Sequence, residues 1–206
     1  MRLVKSGFIT GRFIYTIRKG EVVRDNIKGG LEVTPREMIK IRERGEGLKG
    51  CVFYDHQQRA CMVYSKRPAQ CAALKCWDTT EFMTIYSGPK AERKEIITNS
   101  VLLRFMEEHE RRCDYAILEA NIKQIESKGE GAVAGLIELL RFDLHMRSFV
   151  SRKLAVPSDE MDFLFGRPLV ATIPMYGLKV IPEPDGGFLL TTDDPAQRRN
   201  DLGSGH

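Results

Sequence analysis

Apolar residues recur at helical spacing through the second half of the chain. In "SVLLRFMEEHERRC", Val101, Leu102, Phe105 and Met106 share one face, and Asn99 or Ser100 stands where an N-cap belongs. "DYAILEANIKQIESKG" repeats the period with Leu118, Ile122 and Ile125 and stops at Gly129. "AVAGLIELLRFDLHMRSFV" carries it on through Val133, Leu136, Ile137, Leu140 and Leu144. Beyond it, Pro157, Pro168 and Pro174 divide the chain into short helical pieces. "LKVIPEPDGGFLLTT" reads as a hairpin turning at Asp185-Gly186-Gly187, and the polar tail from Asp193 as disordered.

The first half has another pattern. "GEVVRD" and "EMIKIRE" are strand-like, "GFITGRFIYTIRKG" is read as a short helix, and Gly29, Gly30, Gly45 and Gly47 mark turns. "CVFYD" and "CMVY" are β-favouring runs joined by polar "HQQRA", which predicts a hairpin with Cys51 and Cys61 at the starts of its strands. Pro68 is placed as the first residue of a subsequent helix, with Cys71 in or near its first turn. The expected fold is therefore α+β, mainly α. Residues 1–98 form a mixed region holding a cysteine-rich hairpin and helix module (50–78), 99–192 a helical domain ending in a hairpin, and 193–206 a disordered tail.

Composition narrows the function classes. The net charge of +4 is a small difference between 32 basic and 28 acidic residues, and the basic runs are short and mixed with acids. That gives no strong nucleic-acid signal. No run approaches the length of a membrane span, and Gly7, Gly11 and Arg12 interrupt the N-terminal apolar stretch. The expected setting is the cytoplasm, with no membrane contact and with the helical domain as the surface for an unknown protein partner.

Four of the five cysteines, Cys51, Cys61, Cys71 and Cys76, fall in one short module. In a reducing compartment, and with an odd count, disulfides fit poorly. Zinc and iron–sulfur clusters want several soft thiolates around one centre, and such binding can replace a hydrophobic core in a small module. The alternative is cysteines that are buried and redox-inert. The five-residue step from Cys71 to Cys76 exceeds one helical turn, so a shared ion requires the helix to end or bend before Cys76. The absence of C-x-x-C argues against zinc ribbons and thioredoxin-type redox centres.

The spacing C-x9-C-x-x-Y-x-x-R-P-x-x-C-x4-C, carried by Cys51, Cys61, Tyr64, Arg67, Pro68, Cys71 and Cys76, resembles the signature of the YkgJ-type cysteine-cluster proteins, a zinc- or iron-chelating family. "LKCWDT" and "YTIRKGE" are also similar to one bacterial branch of it, so the likeness spans roughly residues 13–113. It implies a metal-chelating or iron–sulfur module with Cys51, Cys61, Cys71 and Cys76 as ligands and an undefined biochemical role. The family's earlier C-x-x-C-x-x-C-C group has no counterpart before Cys51. The expectation drawn from this is a chain that begins late and loads metal weakly, with more binding in an extended form.

The remaining residues carry two readings each. Arg67 is a counter-charge for thiolates or an ordinary turn arginine; Tyr64 and Trp77 cover a metal site or join the core. His56 is a ligand or a solvated loop residue. Nothing pairs His109 or His145 at metal spacing, and Glu107, Glu108, Glu110, Arg111 and Arg112 are read as an exposed helix face. Cys113 is an extra ligand, a resolving thiol or a buried small hydrophobe. There is no phosphate-cradling loop, nucleophile elbow or H-E-x-x-H. The function expected is metal binding; the alternatives are an iron–sulfur-dependent oxidoreductase or group-transfer enzyme, and an adaptor with a purely structural metal.

Overall fold

Paired short strands build the front of the molecule. The computed structural model describes residues 2–25, 27, 29–45, 50–75, 77–183 and 187–192. After a one-turn helix α1 (Arg2–Lys5), β1 (Ile14–Ile17) pairs antiparallel with β4 (Met38–Ile41), setting Ile14 opposite Ile41. Between them, β2 (Val22–Arg24) pairs with β3 (Leu31–Val33). The short helix expected in "GFITGRFIYTIRKG" is corrected here: Gly11–Phe13 makes a single 3-10 turn and Ile14–Ile17 is a strand. Ile14, Thr16 and Ile17 are β-branched and all buried, so packing on a pleated surface wins.

The cysteine hairpin is smaller than expected. β5 (Tyr54–Asp55) and β6 (Ala60–Cys61) each have two residues, paired with Tyr54 opposite Cys61. Cys51 thus precedes its strand and bridges Glu43 instead, and Cys61 ends rather than starts β6. Helices α2 (Ala69–Ala73) and α3 (Thr80–Ser87) come next. Pro68 is the N-cap of α2, not its first residue, because its ψ of 151° is extended.

The helical part matches the sequence signals closely. Asn99 caps α4 (Ser100–Arg112) by accepting the Val101 and Leu102 amides at 2.9 and 3.1 Å. Asp114 caps α5 (Tyr115–Lys128), which ends at Gly129 with φ 67°. α6 (Val133–Lys153) is the long central helix; α7 (Met161–Phe165) and α8 (Leu169–Thr172) are the short proline-bounded pieces. β7 (Leu178–Pro182) pairs with β8 (Phe188–Thr192) as the C-terminal hairpin; the turn residues 184–186 and the tail from 193 lie outside the described residues. Helices outweigh strands, so the class is α+β, mainly α. Among the described residues no helix is long and apolar enough to cross a membrane.

Two apolar cores hold these elements. One joins Ile9, Ile14, Phe53 and Val63 of the front to Met106, Val150, Phe163 and Phe165. The other packs Leu118 and Ile122 of α5 against Leu136 and Leu140 of α6 and Leu169 and Ile173 beyond. Each such side chain contributes on the order of 1.5–3 kcal/mol by leaving water. Phe53 and Val63 are the anchors of the cysteine hairpin, and the Phe53 ring lies 5.1 Å from that of Phe13.

Buried charge ties the halves together. Arg93 donates from its backbone amide and Nε to the two oxygens of Glu37 at 2.6 and 2.9 Å, and from Nη2 to Glu110 at 2.5 Å. Arg18 is fully buried and reaches Glu110 at 3.5 Å and the Cys113 carbonyl at 3.0 Å. Glu110 therefore does not belong to the exposed helix face assigned to it. Burial raises its pKa, but Arg18 and Arg93 outweigh that and hold the carboxyl below the ordinary range.

Candidate metal centre

Local hydrogen bonds shape the cysteine module. Asp55 accepts the Gln57 and Gln58 amides at 2.8 and 3.0 Å, turning "HQQR", and Arg59 takes φ 49° to close the loop. The Met62 amide donates to Phe53 O at 2.9 Å, and the Phe53 amide donates to Cys51 Sγ at 3.4 Å. Val63 then turns the chain inward, Tyr64–Lys66 forms a 3-10 turn, and α2 presents Cys71.

Cys51 and Cys61 lie near enough to Cys71 to influence it, but among the described residues the three sulfurs do not all come within 4.8 Å of one another. The Cys71 thiol is pushed up first by burial, then by the Cys51 and Cys61 thiols, and is pulled back by Arg67. Cys71 and Cys51 are exposed as residues and Cys61 is half-buried, so the group faces outward. Arg67 lies with its guanidinium 3.9 Å from the Tyr64 ring centre. Tyr64 and Trp77 are exposed, Trp77 at 84 %. His56 is exposed and sits against Tyr54, ring centres 5.0 Å apart. α2 ends at Ala73, ahead of Cys76, and Lys75 bridges Asp78. Cys76 itself lies outside the described residues.

Sequence reasoning missed a second group. His109, Cys113 and Asp143 place one ligand atom each within 4.8 Å of one another, all fully buried. His109 Nε2 donates to Asp143 Oδ1 at 2.7 Å, a partner the sequence reading did not name. The four-residue step from His109 to Cys113 on one helix face was a visible signal. The third member comes from α6 and was not.

The chemistry of this group is that of a polar core. Asp143 also accepts Arg147 Nε at 2.8 Å and the Leu169 amide at 2.8 Å. Burial opposes the carboxylate, but His109, Arg147 and Leu169 outweigh it and keep it ionised. Burial pushes the His109 pKa down, with Arg18 adding to that and Asp143 resisting it. The Cys113 thiol is pushed up to about 12, first by burial and then by Asp143, so it is no nucleophile. The donor types would suit a metal, yet Arg18 and Arg147 already supply the positive charge. Cys113 is a buried small side chain.

No family model, curated protein or solved structure matches this chain.

Proposed function

We propose that the chain is a metal-binding protein holding zinc or an iron–sulfur cluster through Cys51, Cys61, Cys71 and Cys76, as its resemblance to the YkgJ-type cysteine-cluster proteins implies. The observation that carries the reading is the spacing of the four cysteines in one short module, with Cys71 near enough to Cys51 and Cys61 to feel both. Thiolates so placed repel one another, and a soft divalent ion among them converts repulsion into attraction. Two further features support it. The Phe53 amide donates to Cys51, and Arg67 stands beside Cys71 as a counter-charge. The module's own interior is slight, with Phe53, Val63 and Ala73 its buried side chains among the described residues. A bound metal would supply the cross-link between hairpin and α2 that so small a core lacks. The cysteines stay reduced in this reading, which places the protein in the cytoplasm.

Cobalt titration of the reduced chain tests it. The expected result is a saturable thiolate-to-cobalt absorption, reversed by added zinc and much reduced in Cys51→Ser and Cys71→Ser. Free thiols by colorimetric count, with no such absorption at excess cobalt, would overturn the assignment.

A further inference from the structure

Two segments of the chain hold basic residues and no acid. Residues 1–20 and 56–77 together carry nine lysines and arginines without one aspartate or glutamate. The near balance of the whole chain conceals this, because the acids lie elsewhere. Folding brings the two segments together: Ile9 and Val63 share one core, and Lys66 lies 4.6 Å from the Phe8 ring centre. Some of the cations are engaged by acids from other elements. Arg18 is buried beside Glu110, Arg12 lies within reach of the Glu160 charge, and Lys75 pairs with Glu81 at 3.2 Å. Lys5, Arg59 and Lys66 are exposed, and among the described residues no carboxylate pairs with them.

The same two segments carry the aromatic rings that the fold leaves in water. Among the described residues the exposed phenylalanine, tyrosine and tryptophan side chains are Phe8, Tyr64 and Trp77, at 39, 63 and 84 %. The exposed large apolar side chains of the helical part are all aliphatic: Val101, Ile117, Ile181 and Leu189. A ring left in water forgoes the gain of burial, so three of them on acid-free segments point to a ligand with flat apolar faces. Unpaired positive charge beside bare rings complements an unstacked base and its phosphate.

We propose that this surface binds single-stranded nucleic acid, with bases stacking on Phe8, Tyr64 and Trp77 and phosphates held by Lys5, Arg59 and Lys66. A duplex offers its phosphates but keeps its base faces stacked away from the rings. A bilayer fits less well. Asp78 follows Trp77 at once, is exposed and accepts the Thr80 amide at 2.9 Å, so inserting the ring would strip water from that charge. Arg67 and the four cysteines hold no phosphate here, so the surface stands whether or not the module carries a metal.

Trp77 is the chain's one tryptophan, so its emission reports stacking directly. Titration of the reduced, full-length chain with oligothymidylate and oligouridylate, each twelve nucleotides long, tests the proposal. One or both should quench Trp77 saturably, and the ratio of their affinities tells DNA from RNA as the source. A duplex of equal length and inorganic polyphosphate should bind at least fivefold more weakly. Log affinity should fall against log salt with a slope of about −2, from three phosphate contacts at ~0.7 each. By anisotropy of labelled oligothymidylate or oligouridylate, Tyr64→Leu and Trp77→Leu should each weaken binding at least fivefold. Lys5→Gln/Lys66→Gln should bring the salt slope to about −0.7, with circular dichroism confirming the fold of every variant. No saturable quenching by either oligonucleotide, duplex or polyphosphate binding as tight as the single strand, or affinity untouched by both ring variants would overturn it. So would a Trp77 emission change on vesicles of acidic phospholipid with neither oligonucleotide bound, which would mark a membrane-facing surface instead.

Discussion

Replacing Asp143 with asparagine removes one charge from the most enclosed polar group in the molecule. Asp143 accepts three hydrogen bonds, from His109, Arg147 and the Leu169 amide, at 2.7, 2.8 and 2.8 Å, and is fully buried. At about 1.5–3 kcal/mol for each bond to a charged group, the three sum to roughly 4.5–9 kcal/mol as an upper bound. Two facts reduce this. The asparagine oxygen can still accept one or two of the donors. Arg147 also keeps Asp162 at 3.3 Å and the Gly166 carbonyl at 2.9 Å. Breaking a buried pair by removing one partner costs about 3–5 kcal/mol, and that is the expected loss. With a urea slope of about 2 kcal/mol per molar, the unfolding midpoint should fall by roughly 1.5–2.5 M. Urea unfolding monitored by helical circular dichroism measures it. Arg147→Met and the double variant complete a cycle, and the double variant should be more stable than the two losses predict by about 1–3 kcal/mol. A midpoint drop below about 0.5 M, or strict additivity in the cycle, would refute the reasoning that this cluster is a coupled structural unit.

Acid, two glycines and the module thiols give further expected outcomes. His109 has its pKa lowered in the folded state, so the unfolded chain takes up the proton first as pH falls through about 6.5. Its contribution is present above that pH and is lost on acidification, with a slope of at most about 1.4 kcal/mol per pH unit. Urea midpoints between pH 7.5 and 5 should drop less steeply in His109→Gln; parallel profiles would contradict this. Gly166→Ala should cost about 2–4 kcal/mol: φ is 74° and ψ −174°, a region essentially reserved for glycine, and the new Cβ would lie 2.7 Å from Arg18 Cγ. Gly135→Ala in α6 meets only the tip of Asn121 and should change stability by less than about 1 kcal/mol in thermal unfolding. Chelation, or Cys71→Ser, should speed hydrogen exchange at the amides of Met62, Ala72 and Leu74 while α4 to α6 keep their protection. An unchanged hairpin after exhaustive chelation would count against a structural metal.

Local features are legible in the chain alone. Asn99, Gly129 and the prolines bound the helices because capping and a missing N–H act within one turn, and the apolar period of α4 to α6 names their buried faces. The pairing of Leu178–Pro182 with Phe188–Thr192 is readable from its alternation. Charge pairing and strand identity are set instead by three-dimensional packing. Ile14–Ile17 is a strand because β4, more than twenty residues on, supplies the ladder partner. Glu110 looks like one more charge on a solvated helix until Arg18, distant by 92 positions, and Arg93 arrive beside it. The pairing of His109 with Asp143 spans 34 positions and two helices. Burial of a charge depends on whether an opposite charge reaches the same spot, and neighbours along the chain carry no record of that.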